Sequence, residues 1–205
     1  MTVPVPADAT APALSVVRTK PGVDLAAAEL AATALLESLG VDVHREGMAA
    51  TPGRMVRAYA ELFSPPSFDL TTFPNDEGYD ELVLARDIPF RSVCEHHLLP
   101  FVGVAHVGYL PGSRILGLSK LARVVQLFAH APQVQERLTQ QIADWLSAHL
   151  QAKGVGVVLR AEHMCMTLRG VQAVGSSTVT SALHGWLRED AGARAEFFSL
   201  AGLSS

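Results

Sequence analysis

Two short clusters, far apart in the chain, constrain its fold more than any other feature. Cys94-Glu95-His96-His97 is answered much later by His163-Met164-Cys165, and these clusters hold both cysteines of the 205-residue sequence. Cys94 and His97 are spaced i, i+3, a separation at which a strand end or tight turn can aim a thiolate and an imidazole at one point. His163 and Cys165 are spaced i, i+2, so on a strand they would share a face. A fold that brings the clusters together presents two sulfurs and one or two imidazoles, a donor set whose softness suits zinc. Three protein ligands with an open fourth position describe a catalytic site. A fourth ligand drawn from Glu95, His96 or His163 would describe a closed, structural one. Two inert buried thiols, or one disulfide between Cys94 and Cys165, are the plainer readings that spacing leaves open.

The remaining composition narrows the setting. A chain that is 49% apolar and 18% charged fits a compact soluble core. A net charge of −4 and a pI near 6.0 speak against a nucleic-acid or membrane-surface partner. The sequence has no stretch of about 18 apolar residues, so no membrane span is expected. Low cysteine usage fits a reducing compartment, hence a cytoplasmic location. Residues 1–22 are rich in Ala, Pro and Val without a basic start or a continuous apolar run. They read as a flexible tail rather than a signal peptide.

Residues 23–79 read as a helical extension. Asp24 can cap a helix from Leu25 to Ser38, with Gly40 at its exit. Thr51-Pro52 opens a second helix as capping residue and first-turn proline, and Ser64-Pro65-Pro66 stops it. From residue 80 to 205 the pattern predicts the main domain. Alternation from Leu82 to Ile88 predicts a strand entering the Cys94 cluster, and Phe101 to Leu110 a returning one. Helical spacing follows at Leu118, Leu121, Ala122, Val125, Phe128 and Ala129. A second helix is expected from Pro132, along Val134, Leu138, Ile142 and Trp145. Two more strands are expected over 154–160 and 161–171, then C-terminal helix after Ser181. Strand, strand, helix, helix, strand, strand gives an α+β class: a four-stranded antiparallel sheet with two helices on one face. In that reading His163, Cys165, Thr167 and Arg169 share one strand face, and Met164, Met166 and Leu168 the other.

Other polar residues are less distinctive. Lys120 and Arg123 project the same way from a helix and, with Arg169, could hold an anion. Glu136, in the first turn of its helix, is favoured there by the helix dipole in any case. His106, His130, His149 and His184 read as surface or core residues, and Trp145 as core.

Four segments then show a family resemblance. Ser92-Val-Cys-Glu-His-His-Leu-Leu-Pro-Phe101, Gly117-Leu-Ser-Lys-Leu-Ala-Arg123, Pro132-Gln-Val-Gln-Glu-Arg-Leu-Thr-Gln-Gln141 and His163-Met-Cys-Met-Thr-Leu-Arg-Gly170 resemble, in this order, GTP cyclohydrolase I. The similarity runs from Asp24 to Leu200 and includes Thr51-Pro-Gly-Arg54. It implies a tunnelling fold, a homodecamer of two stacked pentamers with active sites at subunit junctions, and conversion of GTP and water to 7,8-dihydroneopterin triphosphate and formate. It also implies Cys94, His97 and Cys165 as ligands of Zn2+, with water in the fourth position, where the metal can bring the pKa of water to about 7. His163 would be the general acid, His96 a further proton-transfer group, and Ser119 a participant near the ribose. Glu136, with Gln135 and the backbone at Val134, would read the guanine edge. Lys120, Arg123, Arg169, Arg54 and Arg57 would bind the triphosphate. The chain departs from many members at Gln172-Ala173-Val174, where basic residues are common. A zinc-stabilised scaffold without activity would not require His96 and His163. Another tunnelling-fold enzyme would keep Gln135-Glu136 without the metal pair. A zinc nucleoside deaminase lacks support, since there is no Pro-Cys-x-x-Cys.

Overall fold

The computed structural model describes residues 14–16 and 22–203. Of the expected tail 1–22, Leu14–Val16 forms a short strand, β1, paired antiparallel with β2 (Phe68–Leu70). The rest of that tail, apart from Gly22, lies outside the described residues.

The first helix, α1 (Leu25–Ser38), starts where its capping chemistry directs: the Asp24 carboxylate accepts from the Ala27 amide at 2.9 Å. The second, α2 (Thr51–Leu62), begins one residue earlier than expected. Ala50 occupies the cap position without a side-chain cap, and the Thr51 hydroxyl turns instead to the Met48 sulfur at 3.6 Å.

Strands β3 (Thr72–Pro74), β4 (Val83–Cys94), β5 (Pro100–Leu110) and β6 (Arg114–Leu116) follow, with β3 pairing to β6. Then come helix α3 (Leu118–Ala129), the two-residue strand β7 (Pro132–Gln133) and helix α4 (Gln135–Leu150). The order closes with β8 (Gly154–His163), the short helix α5 (Met164–Thr167), β9 (Thr178–Gly185), α6 (Trp186–Glu189) and α7 (Ala191–Leu200). The main sheet runs β7-β4-β5-β8-β9, antiparallel except for the parallel β7–β4 pair.

The expected four antiparallel strands are thus joined by a fifth, the parallel β7, because two residues before α4 pair with the end of β4, and further expectations are corrected. Pro132 does not begin a helix: its backbone pairs with Val93, and the helix starts at Gln135. Residues 161–171 do not form a separate strand. β8 continues to His163, and the chain then turns helically, with the Leu168 amide on the Met164 carbonyl at 3.0 Å. The last strand is Thr178–Gly185, a stretch of mixed polar and apolar residues, where C-terminal helix was expected from Ser181.

Helices α3 and α4 cover one sheet face. Leu121, Val124, Val125, Leu138, Ile142 and Leu146 pack there on Phe101, Ala105, Val107, Tyr109, Val155, Val157 and Leu159. Leu118, which fits the helical spacing, is 69% exposed instead. On the opposite face Phe197 of α7 is buried with Val158 and Leu187, a burial of about 1.5–3 kcal/mol for such a side chain. Close strand approach requires glycine at 103, where a Cβ would stand 2.0 Å from the Arg160 carbonyl oxygen.

His106 is the one buried histidine of the sheet, 3% exposed, and the Asp87 amide at the β4 bulge lies 3.5 Å from its Nδ1. Burial lowers its pKa from the ordinary 6.5; Asp87 opposes this, while Arg86 and Arg160 add to it. The folded state therefore disfavours protonation. Its contribution is present above about pH 6.5 and is lost as pH falls toward the lowered folded value. His106→Gln should melt with a flatter pH dependence than the parent between about pH 7 and 5, measured by thermal denaturation; equal slopes would remove His106 as the cause.

Candidate metal and catalytic site

The site forms where three chain segments meet at one end of the sheet. β4 ends at Cys94 and β8 ends at His163, with β5 between them: Val93 faces Pro100 and Phe101 faces His163. The turn after β4 is closed tightly. The Cys94 amide bonds the Leu99 carbonyl at 2.9 Å, and the Leu98 amide bonds the Cys94 carbonyl at 2.8 Å. Leu98 adopts φ 51° to make that turn, and the Tyr59 hydroxyl of α2 donates to its carbonyl at 2.9 Å.

Ligand atoms of Cys94, His97 and Cys165 all lie within 4.8 Å of one another, and both cysteines are free thiols. The Cys94 sulfur is 3.8 Å from Nδ1 of His97 and 3.9 Å from Nδ1 of His96. Burial raises the pKa of Cys165, and the nearby Cys94 raises it further, with Arg169 opposing. Two thiolates this close repel each other, so both deprotonate readily only with a cation between them. Two soft sulfurs and an imidazole fit a soft divalent ion. Glu95 is not directed to this point: its carboxylate pairs with Arg137. The corrected secondary structure matters here, because a helical turn rather than a strand brings Cys165 to the donor group beyond His163.

The adjoining cleft, of about 240 Å³, is lined by Cys94, His96, His97, Gln133, Val134, Gln135, Glu136, His163, Cys165, Met166 and Thr178. His163 stacks on Phe101 with ring centroids 4.6 Å apart. Burial lowers its pKa, and Glu136 opposes the shift. Gln135, which sequence reading places at the guanine edge, has its side chain fully engaged. Its amide nitrogen lies on the carbonyls of Leu159 (3.2 Å) and Thr178 (3.0 Å) and on the Thr180 hydroxyl (3.1 Å). The amide oxygen must then face His163, whose Nε2 donates to it at 2.7 Å. This fixes Nε2 as the protonated nitrogen and leaves Nδ1 to exchange protons. Nothing in the sequence spacing signals that bond.

Other expected site residues stand apart from this cleft in the single chain. Ser119 and Arg123 on α3, Arg54 and Arg57 on α2, and Arg169 after α5 are exposed, and Lys120 is half-buried. None of these six is among the described lining residues. Of the remaining histidines, His184 pairs with Asp144 at 2.8 Å and His149 stacks on Trp145.

Three donors that could hold a soft metal ion lie beside a half-buried, hydrogen-bonded histidine, the kind of arrangement that metal-dependent enzymes use. The GTP cyclohydrolase I family profile matches residues 28–202. A GTP cyclohydrolase 1 of Aquifex aeolicus is 52% identical over 80% of this chain and 90% of its own. One of Mycobacteroides abscessus is 53% identical over 86% and 89%, and one of Corynebacterium glutamicum 53% over 81% and 87%. Among solved structures, an apo archaeosine synthase QueF-Like aligns with 51% of this chain and 93% of its own, at TM-score 0.41 and 18% identity, a likeness too slight to build on. The chain belongs to the GTP cyclohydrolase I family. Among the described residues, no helix is long and apolar enough to cross a membrane.

Replacing Gln135 with Met keeps its length but removes its hydrogen bonds and strands the polar partners in a buried place. The expected loss of unfolding free energy is about 1–3 kcal/mol, read from urea denaturation; an unchanged midpoint would show the network contributes nothing.

Proposed function

We propose that this chain is a zinc-dependent cytoplasmic enzyme converting GTP and water to 7,8-dihydroneopterin triphosphate and formate. The observation that carries this reading is the convergence of Cys94, His97 and Cys165 with His163 and Glu136 around one cleft, in a chain of this family. Cys94, His97 and Cys165 would hold the zinc, which supplies Lewis acidity toward a water.

The protein's own groups do the rest. His163 protonates the purine ring through Nδ1, because Gln135 occupies Nε2, and His96 at the cleft mouth relays further protons. Glu136 accepts from N1–H and the 2-amino group of guanine. Adenine offers neither donor, so a carboxylate left unpaired rejects it by up to ~10⁴-fold. Backbone at Val134 and Gln135 completes the edge. After loss of C8 as formate, Ser119 assists rearrangement near the ribose, and the sugar closes on the exposed amine. Lys120, Arg123, Arg169, Arg54 and Arg57 bind the triphosphate.

These cations lie outside the single-chain cleft, which supports a site completed at a subunit junction of a tunnelling-fold homo-oligomer, in our reading a decamer. Leu168, Val171 and Val174, 68%, 72% and 82% exposed beside Arg169, support the same reading as surfaces a neighbouring subunit would cover.

The test is incubation of the zinc-loaded oligomer with GTP, following pterin by absorbance and formate by a coupled assay. Both products should form, a chelator should abolish them, and ATP should give neither; an assembled, zinc-bound oligomer inert toward GTP would contradict the reading. Cys165→Ser should lose zinc and turnover together. Glu136→Ala should keep zinc while kcat/KM for GTP falls about 10- to 100-fold, the cost of losing charge-assisted hydrogen bonds; full turnover would remove Glu136 from base recognition.

A further inference from the structure

β4 ends on the core residue Cys94, and the turn that follows carries His97, with Glu95 through Leu98 all exposed. Packing therefore does little to fix where the His97 donor sits. A closed ring of polar contacts takes that role. The Glu95 amide donates to the Gln133 carbonyl at 3.0 Å, so the ligand turn is joined by backbone to β7. The Glu95 carboxylate accepts from Nη2 of Arg137 on α4. Arg137 in turn donates from Nε to the Gln133 side-chain oxygen at 3.0 Å. The ring thus returns to the residue that holds the Glu95 backbone.

Its anchor is not a surface group. Gln133 is 2% exposed, and its amide nitrogen is spent on the Phe128 carbonyl (2.9 Å) and the Gln141 side chain (2.8 Å). Those bonds fix the orientation of its oxygen, and through it the guanidinium plane of Arg137. An isolated ion pair at this exposure, 32% and 44% for the two side chains, would contribute little. Here the arginine is already oriented, so little side-chain freedom is lost when Glu95 pairs. The same contact directs the Glu95 carboxylate to Arg137 and leaves the donor set at two sulfurs and one imidazole.

We infer that Glu95 and Arg137 are positioning residues that, through Gln133, clamp the ligand turn to the start of α4 and set the geometry of the Cys94 and His97 donors. This rests on the proposed metal reading. Neighbours that orient metal ligands govern affinity without touching the ion, and their loss typically weakens binding 10- to 100-fold.

The experiment measures zinc affinity of the purified full chain by competition with a chromophoric chelator, for the parent, Glu95→Gln, Arg137→Met and the double variant. Circular dichroism confirms folding, and cobalt(II) absorption reports donor geometry. Each single variant should bind zinc about 10- to 100-fold more weakly, with a shifted cobalt d–d band. The double variant should be no worse than Arg137→Met alone, because the Glu95–Arg137 contact is lost in all three and only Arg137→Met also removes the bond to Gln133. Affinities within about twofold of the parent, an unshifted cobalt spectrum, or additive losses in the double variant would overturn the inference. A lowered melting temperature with unchanged zinc affinity would mark a merely structural pair and also overturn it. A parent chain that takes up no zinc would instead overturn the metal reading itself, so the two failures are distinguishable.

Discussion

Antiparallel pairing of β5 with both of its neighbours is the constraint on which the rest of the site depends. Val93 faces Pro100 on one side and Phe101 faces His163 on the other, so strand ends remote in sequence finish at the same edge of the sheet. The candidate donors need no long loops to meet, because the sheet register has already brought them together. That register is secured by burial on the α3–α4 face and by glycine at 103, where the β8 backbone passes too close for a side chain. A one-residue slip would turn Phe101 away from the core and His163 away from Cys94.

The site divides into a part held by the core and a part held by polar contacts. His163 lies on a strand end, stacks on a buried phenylalanine and donates to a glutamine whose own bonds are fixed by β8 and β9. Its position follows from the sheet. The Glu95–Leu98 turn has no such backing, and beyond its own backbone bonds it depends on contacts from α2, β7 and α4 at Tyr59, Gln133 and Arg137. Helix α2 thus reaches the turn after Cys94 directly, which ties a segment outside the main sheet to the candidate site.

What the sequence revealed follows from which interactions are local. The Asp24 cap, the alternation into Cys94 and the helical spacing around Leu121 and Val125 are local signals, and the corresponding elements form. That the two cysteine–histidine clusters could meet was legible in their composition, whereas the trio Cys94, His97 and Cys165 came from the family resemblance; their ligand atoms lie within 4.8 Å of one another. Residues 164–167 were not, because the alternation of Met164 and Met166 with polar neighbours suits a strand and a single helical turn equally well. β9 has weak apolar patterning and is a strand because β8 offers it an edge. The engagement of Gln135 with His163, and of Glu95 with Arg137, joins residues distant in sequence. No spacing rule anticipates such bonds; only the packed sheet shows them.

In the proposed function, two thiolates and one imidazole hold a zinc ion with one position left open. X-ray absorption on the zinc-loaded protein tests it most directly. Two sulfur scatterers at about 2.3 Å and two nitrogen or oxygen scatterers at about 2.0–2.1 Å are expected, with scattering from a single imidazole. A shell with one sulfur or none, or with a second imidazole closing the fourth position, would contradict it.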